Sequence, residues 1–434
     1  MSPEPPVQKP APRWQPIALR LYRLAVILLI AWIVREHHYR LRIQGDTPVT
    51  ADEVTQFLPE AKELRPDRSE FHGLEVLNAA GEKIGYVVRT SPDADHIIGY
   101  VGMTDTLVAL DKDLKVLGIK IRRSEDTRKH VEDVATDRQF MKMWNGKSWE
   151  EVGGMTPKAL RLEGVAGSSM TSLAMAEGIA LRFRRTAGEA DEHPAFRASA
   201  GDIGLAIVVV MALVLTFTSI EKRKWVRRVF QVVVIAYVGL ISGDLVAQSL
   251  LMGWAKSGLP WRMAPGIVLL GVVALVVPWA TRKPVYCLHL CPHGAAQELV
   301  GRLTPKKWRV SVPDEVARRL RYLPGVLLFM VIAIVMLGLP IDLASVEPFD
   351  AYIIGVAGLA TILIAVGGLV AAFFVPQAYC KFGCPTGAVL EFVRSRGPQD
   401  KFTKRDAFAG LLVIVAMLFY WNYYALQQWI VGPL

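Results

Sequence analysis

The chain has 434 residues, of which 52% are hydrophobic, and a mean hydropathy of +0.31. That is too apolar for an ordinary soluble protein, and several apolar stretches near or above 18 residues account for it. The formal net charge is +10, but the Lys and Arg residues sit in short loops between apolar segments. This is the positive-inside signature of a membrane protein, and it excludes nucleic-acid binding as the reading of the charge.

Residues 1–15 form a Pro-rich polar arm with Lys9 and Arg13. Residues 17–34 are apolar, with Arg20 and Arg23 near their start, and no small-x-small cleavage site follows. An uncleaved anchor with its N-terminus inside is expected, so residues 1–35 are read as arm plus first transmembrane anchor. Residues 36–196 are charged and contain no stretch long enough to span. Alternating runs at 85–89, 106–110 and 116–121 read as sheet hairpins, and helical pieces are expected around 51–64 and 130–144. This second unit is an α+β domain outside the membrane.

Residues 163–172 of that unit read Glu-Gly-Val-Ala-Gly-Ser-Ser-Met-Thr-Ser. A glycine turn there exposes hydroxyls, and small neighbours leave room for a phosphate. The plainer reading is a loop whose Ser or Thr N-caps a helix.

From residue 197 the chain is mostly membrane. Spans are expected at about 200–220, 229–251, 264–280, 322–341, 352–375 and 408–430, making a six-helix membrane domain over 197–434 and about seven transmembrane helices in all. The loops 221–228, 282–321 and 381–405 are rich in Lys and Arg and are assigned inside; 252–263 and 342–351 are poor in them and are assigned outside. Asp244 falls within the third expected span, where an acid is a candidate for quinone or proton chemistry.

The four cysteines of the chain form two near-identical motifs. One runs Tyr286-Cys287-Leu-His-Leu-Cys291-Pro292-His-Gly294-Ala295, the other Tyr379-Cys380-Lys-Phe-Gly-Cys384-Pro385-Thr-Gly387-Ala388, and a constant offset of 93 residues relates them. Chance buried thiols would not preserve the flanking Tyr, Pro, Gly-Ala and Glu, so Cys287, Cys291, Cys380 and Cys384 are the metal-site candidates. If each pair opens a helix, the i and i+4 thiols share one face, and the prolines suit the first turn. Two such hairpins facing each other would present four thiolates, which suit [2Fe–2S], [4Fe–4S], a single Fe or Zn. His289 and His293 flank the first motif only and read as loop residues.

The 163–172 segment resembles the Asp-Gly-x-Ser-Gly-Ala-Thr-x-Thr-Ser signature of FMN-binding domains in the RnfG/NqrC and NosR/NirI families. Glu163, Ala166, Ser168 and Ser169 depart from it. The order of anchor, outer domain, membrane region and two inner Cys-x3-Cys-Pro motifs resembles the NosR/NirI family over about residues 20–430. That resemblance implies FMN joined by a phosphoester to Ser169, attached by a flavin transferase. Gly167, Ser168, Thr171, Tyr100, Glu125 and Thr127 would complete its site. It also implies iron–sulfur at the cysteines, and electron transfer between that cytoplasmic-face site and the extracytoplasmic FMN of a multi-pass protein in the cytoplasmic (inner) membrane. Longer family members carry a ferredoxin-like domain that this sequence lacks, so a cytoplasmic ferredoxin-like donor and an extracytoplasmic reductase are expected as partners. A hydrocarbon core of roughly 30 Å between the two ends calls for an intermediate carrier such as a quinone. The alternatives are a membrane regulator or sensor, and an assembly factor with a metal clip.

Overall fold

The computed structural model describes residues 14–44, 48–67, 73–155, 164–165, 168–186, 196, 198–339, 341–353, 357–397 and 400–431. The first helix, α1 (Gln15–Gln44), runs beyond the expected anchor. His37 and His38, placed outside the spans by sequence, therefore lie on it, each bonded through Nε2 to a carbonyl, of Met336 and Val335 (2.7 and 3.1 Å).

A short helix, α2 (Ala51–Val54), leads into an antiparallel meander of strands β1 (Glu63–Pro66), β2 (Leu74–Leu77), β3 (Lys83–Arg89), β4 (Thr104–Leu110) and β5 (Val116–Ser124), paired in sequence order. The three expected strands are thus present. The helix expected over 51–64 is much shorter, because Glu63–Pro66 is drawn into the sheet against Leu74–Leu77. Strand alternation sends β4 to two cores. Val108 and Leu110 pack with Trp144, Ile179 and Phe183, and Leu107 and Ala109 with Val54, Val76 and Val87. Helices α3 (Arg128–Thr136), α4 (Arg138–Lys142), α5 (Trp149–Gly153) and α6 (Ser169–Thr186) cover the first of these faces.

The remaining helices are α7 (Ala200–Phe217), α8 (Lys224–Val233), α9 (Gln248–Ser257), α10 (Pro265–Thr281), α11 (Pro292–Leu303), α12 (Asp314–Leu320), α13 (Leu323–Leu337), α14 (Leu359–Phe374), α15 (Ala378–Phe382), α16 (Pro385–Val393) and α17 (Lys404–Val431). Among the described residues, five segments are long and apolar enough to cross a membrane: Gln15–Arg42, Ala200–Phe217, Lys224–Ser242, Asp314–Leu337 and Lys404–Leu426. The helices at Pro265–Thr281 and Leu359–Phe374 are apolar but shorter. The chain is a multi-pass membrane protein.

One expected span differs. The segment placed at 229–251 stops at Ser242, where a π-helical stretch from Val234 ends on Gly243, and the chain resumes as α9 only at Gln248. Asp244 therefore sits in a helix break, hydrogen-bonded to Ser242, rather than within a span.

The first and last helices are locked together by charge. Arg23 on α1 is 4% exposed. It donates to Asp406 on α17 (2.8 Å) and, through both terminal nitrogens, to Asp400 (2.9 and 3.0 Å). Removing one partner of such a buried set strands the opposite charge. Arg23→Leu should therefore destabilise the detergent-solubilised protein by about 3–5 kcal/mol. Adding Asp400→Asn and Asp406→Asn to it should recover most of that loss, both read by thermal unfolding.

Candidate metal centre and flavin site

Both cysteine motifs fold alike where the sequence repeats. Cys291 N-caps α11 and Cys384 N-caps α16, each with Pro in the first turn. Their sulfurs accept the backbone N–H of Gly294 (3.4 Å) and Gly387 (3.1 Å). Cys287 lies in a π-helical turn, Tyr286–Leu290, and Cys380 in α15. The repeated glutamates both pair with arginine: Glu298 with Arg227 (2.8 Å), and Glu391 with Arg394 (2.9 Å) and Arg396 (3.2 Å).

The four thiols lie close enough to act on one another. Burial, then the Cys380 thiol, pushes Cys287 up to about 12. Burial pushes Cys380 up to about 11, against the hydrogen bond from Gln297. Cys291 and Cys384 are pushed well above the ordinary thiol value by burial first, with the other cysteines contributing. Without a cation this pocket holds neutral thiols; a bound metal ion reverses that balance and takes them as thiolates. N–H groups aimed at the sulfurs suit thiolate ligands, so the donor set fits an iron–sulfur cluster. Among the described residues no group of three or more His, Cys, Asp or Glu side chains is placed to hold a single metal ion.

Where the two repeats differ, the differences fit together. Gln297, fully buried, stands where the second repeat has Leu390. Its amide donates to Cys380 Sγ (3.2 Å) and accepts the Tyr379 N–H (3.2 Å), so one repeat holds the other. His293 and Thr386 are also equivalent by the 93-residue offset. Both touch one segment: His293 Nδ1 is hydrogen-bonded to Tyr352 Oη (3.0 Å), and Thr386 Oγ1 donates to Glu347 (2.6 Å). His289 and His293 are buried (5% and 1% exposed), not loop residues at a surface.

The Glu347–Thr386 contact revises an expectation. Loop 342–351 and the Cys384-Pro385 turn were assigned to opposite faces, a hydrocarbon thickness apart, yet they meet through a buried hydrogen bond. Glu347 also accepts the N–H of Gln248 at the start of α9 (2.5 Å), and the N–H of Val246, in the helix break, donates to Tyr286 Oη (3.0 Å). Through this contact the loop assigned outside and the second cysteine motif share one buried carboxylate.

At the other candidate site, Ser169 is the exposed first residue of α6. A helix N-terminus favours a phosphate. The neighbouring hydroxyls are engaged: Ser168 donates to Asp133 (3.1 Å) and the buried Thr171 to Asp126 (2.6 Å). Asp126 also accepts the N–H groups of Tyr100 (3.0 Å), Val101 (2.9 Å) and Thr127 (2.8 Å). The structure thus brings Tyr100, Thr127 and Thr171 together around one carboxylate that sequence reasoning passed over, while Ser168 is held by a second, Asp133. Glu125 instead engages Arg42 (3.6 Å) and Arg123 (3.7 Å). Gly167 lies outside the described residues. The exposed Ser169 hydroxyl at the helix start is the feature that fits an attached phosphate.

Comparison with known proteins agrees with the cysteine site. The 4Fe-4S binding domain family matches residues 264–311 and 357–402, one block around each motif. Protein NirI of Paracoccus denitrificans is 27% identical over 216 residues, 43% of this chain and 30% of its own length. Regulatory protein NosR of Pseudomonas aeruginosa is 33% identical over 137 residues, 30% of this chain and 19% of its own. The chain is NosR/NirI-like. The matched region spans under a third of either relative, and no solved structure matches the chain. The 4Fe-4S match supports an iron–sulfur cluster in this NosR/NirI-like protein.

With a cluster bound at Cys380, Gln297 would orient a ligand from outside the ligand set, and such partners typically contribute 10–100-fold to metal retention. Gln297→Leu, which copies the second repeat, should let a chelator strip iron about 10-fold more readily. Each of Cys287→Ser, Cys291→Ser, Cys380→Ser and Cys384→Ser should lower iron and sulfide together. Iron analysis of the purified protein checks both.

Proposed function

We propose that this chain conducts electrons through the membrane. They pass between an iron–sulfur site held by Cys287, Cys291, Cys380 and Cys384 and an FMN bound through its phosphate to Ser169 of an extracytoplasmic domain over 36–196. In this reading an extracytoplasmic reductase, or its maturation, uses the electrons, and a cytoplasmic ferredoxin-like partner exchanges them on the other side. The observation that supports it most is the Glu347–Thr386 hydrogen bond, together with its counterpart Tyr352–His293. One segment closes over the residue after Cys-Pro in both repeats. The sheet domain meets the membrane region through Tyr100 and Val101, which pack with Leu250 and Trp254 of α9.

When bound, the two cofactors supply the redox chemistry. The residues of the chain do the rest. Gly294, Gly387 and Gln297 aim N–H groups at sulfur. Leu290, Phe349 and Leu390 pack with Cys291 and Cys384 and keep water out. Asp126 fixes the Tyr100–Val101 turn against α6. That the NosR relative is named a regulatory protein favours a second reading in which the same two redox sites report a state rather than carry turnover.

Ser169→Ala should abolish flavin fluorescence on a denaturing gel while membrane insertion persists, and Ser169→Thr should retain it. Thr171 cannot substitute for Ser169, because its hydroxyl is committed to Asp126. Fluorescence that survives in Ser169→Ala would refute the attachment. In quinone-free wild-type protein, reduction of the metal centre should be followed by reduction of the flavin without any added carrier, observed by stopped-flow absorbance. A flavin that stays oxidised until quinone is supplied would refute direct conduction.

A further inference from the structure

The cysteine site comes to the surface along one edge. Cys291 and Cys384 are buried, each 9% exposed, whereas Cys287 and Cys380 are half-buried. The residue after each of the latter two is exposed: Leu288, at 37%, and Lys381. A cluster held by all four sulfurs would therefore stand nearest to solvent on the side of Cys287 and Cys380.

Cations border that edge. Glu391, near the end of α16, is shared by three arginines: Arg394 (2.9 Å), Arg396 (3.2 Å) and Arg405 at the start of α17 (3.6 Å). One carboxylate cannot neutralise three guanidinium groups, so together with Lys381 the border is net positive. These charges stand beside the sulfurs. After burial and the Cys380 thiol, the groups that act on Cys287 are Glu391 and Arg394; after burial and its hydrogen bonds, the group that acts on Cys380 is Lys381. Arg394 also donates to the Arg282 carbonyl (2.8 Å), which ties the segment after the second motif to the one before the first. The Arg396 and Arg405 side chains keep about half their surface exposed (48% and 58%). Loop charge bias explains the sign of these residues. Their gathering at the open edge of the thiol site is a product of the packing.

We propose that this edge is the docking surface of a small acidic one-electron carrier protein, whose redox centre comes to rest over Cys287 and Cys380. The assignment rests on the reading of the four cysteines as an iron–sulfur site, and it gives the partner of that site a place on the molecule. In each encounter one electron crosses: the carrier is oxidised by one electron as the cluster is reduced by one, or the reverse, and no bond forms or breaks. Complementary charge raises the rate of encounter more than the affinity, and weak redox encounters bury little surface. Both suit a carrier that has to leave after each transfer.

The test uses full-length protein in lipid nanodiscs and, as the carrier, an acidic [2Fe–2S] ferredoxin of the plant type. Electron exchange, in the direction set by the two potentials, is followed by stopped-flow absorbance. Exchange with the wild type should slow about 10-fold between about 0.01 M and about 0.15 M ionic strength, as the reach of charge falls from ~30 to ~8 Å. Arg396→Glu with Arg405→Glu should slow it by about 10-fold at low salt, while dithionite still reduces the cluster fully and its potential stays close to wild type. Arg396→Gln with Arg405→Gln should slow it less, and decides the matter if the double reversal fails to fold. Lys306→Glu with Lys307→Glu, an equal change in charge at exposed residues beyond the far end of α11, should leave the rate near wild type. A wild-type rate in the folded arginine variants, or equal slowing in the lysine pair, overturns the assignment alone. Arginine variants that lose co-purified anionic phospholipid and keep the rate also overturn it and give the edge to lipid. Wild-type protein without an iron–sulfur cluster overturns the reading of the cysteines instead, and this assignment with it.

Discussion

A helix that breaks inside a bilayer has to find its missing hydrogen bonds in the protein, because lipid offers none. In this chain the breaks converge. The gap between Ser242 and Gln248 sends the Val246 N–H to Tyr286 and the Gln248 N–H to Glu347. The first turn of α16 sends the Thr386 hydroxyl to the same Glu347, and the start of α15 gives the Tyr379 N–H to Gln297. The orphan N–H groups at the starts of α11 and α16 go to Cys291 and Cys384. Backbone irregularity, costly anywhere in a membrane, is concentrated where it builds a site.

That concentration explains the energetics of the thiols. Cys291 and Cys384 share an apolar cluster with Tyr286, Leu290 and Phe349, and Cys287 packs against it, so water cannot stabilise charge on them. What the pocket supplies is N–H groups and helix starts, enough to orient sulfur and too little to ionise it. A metal cluster would contribute the missing positive charge, and binding would then stabilise the helix breaks as well as the ligands. Repeat symmetry places the sulfurs; the departures from symmetry, Gln297 against Leu390 and His293 against Thr386, tie the repeats to each other and to residues 347–352.

The sheet domain follows a different logic. Its meander is held by apolar packing on both faces of β4, and its candidate site is organised by one carboxylate. Asp126 gathers the turn at 100–101, the start of α3 and the first turn of α6. The seam with α9 and α10 is apolar and close, which joins this domain to the membrane region through Tyr100, Val101 and Trp254.

Composition and periodicity were enough to read the membrane character, the hairpins that became β3 to β5, and the duplicated cysteine motifs. Each depends on local pattern: a span needs a run of apolar residues, a strand needs alternation, and a repeat shows itself by its offset. The family resemblance followed from motif order, and the comparisons agree with it. The tertiary structure alone decided the rest. Ser242-Gly243-Asp244 is a short polar interruption between two apolar runs, which the sequence alone reads as one span; Gly243 in the left-handed region and the partners waiting on Tyr286 and Glu347 make it the end of a helix. Asp126 and Gln297 looked ordinary because a polar residue reveals its role only by what surrounds it once buried. Charge bias in loops assigns faces but not depth, so the meeting of Glu347 with Thr386, far apart in the expected topology, could emerge only when the short helices and the broken one were packed together.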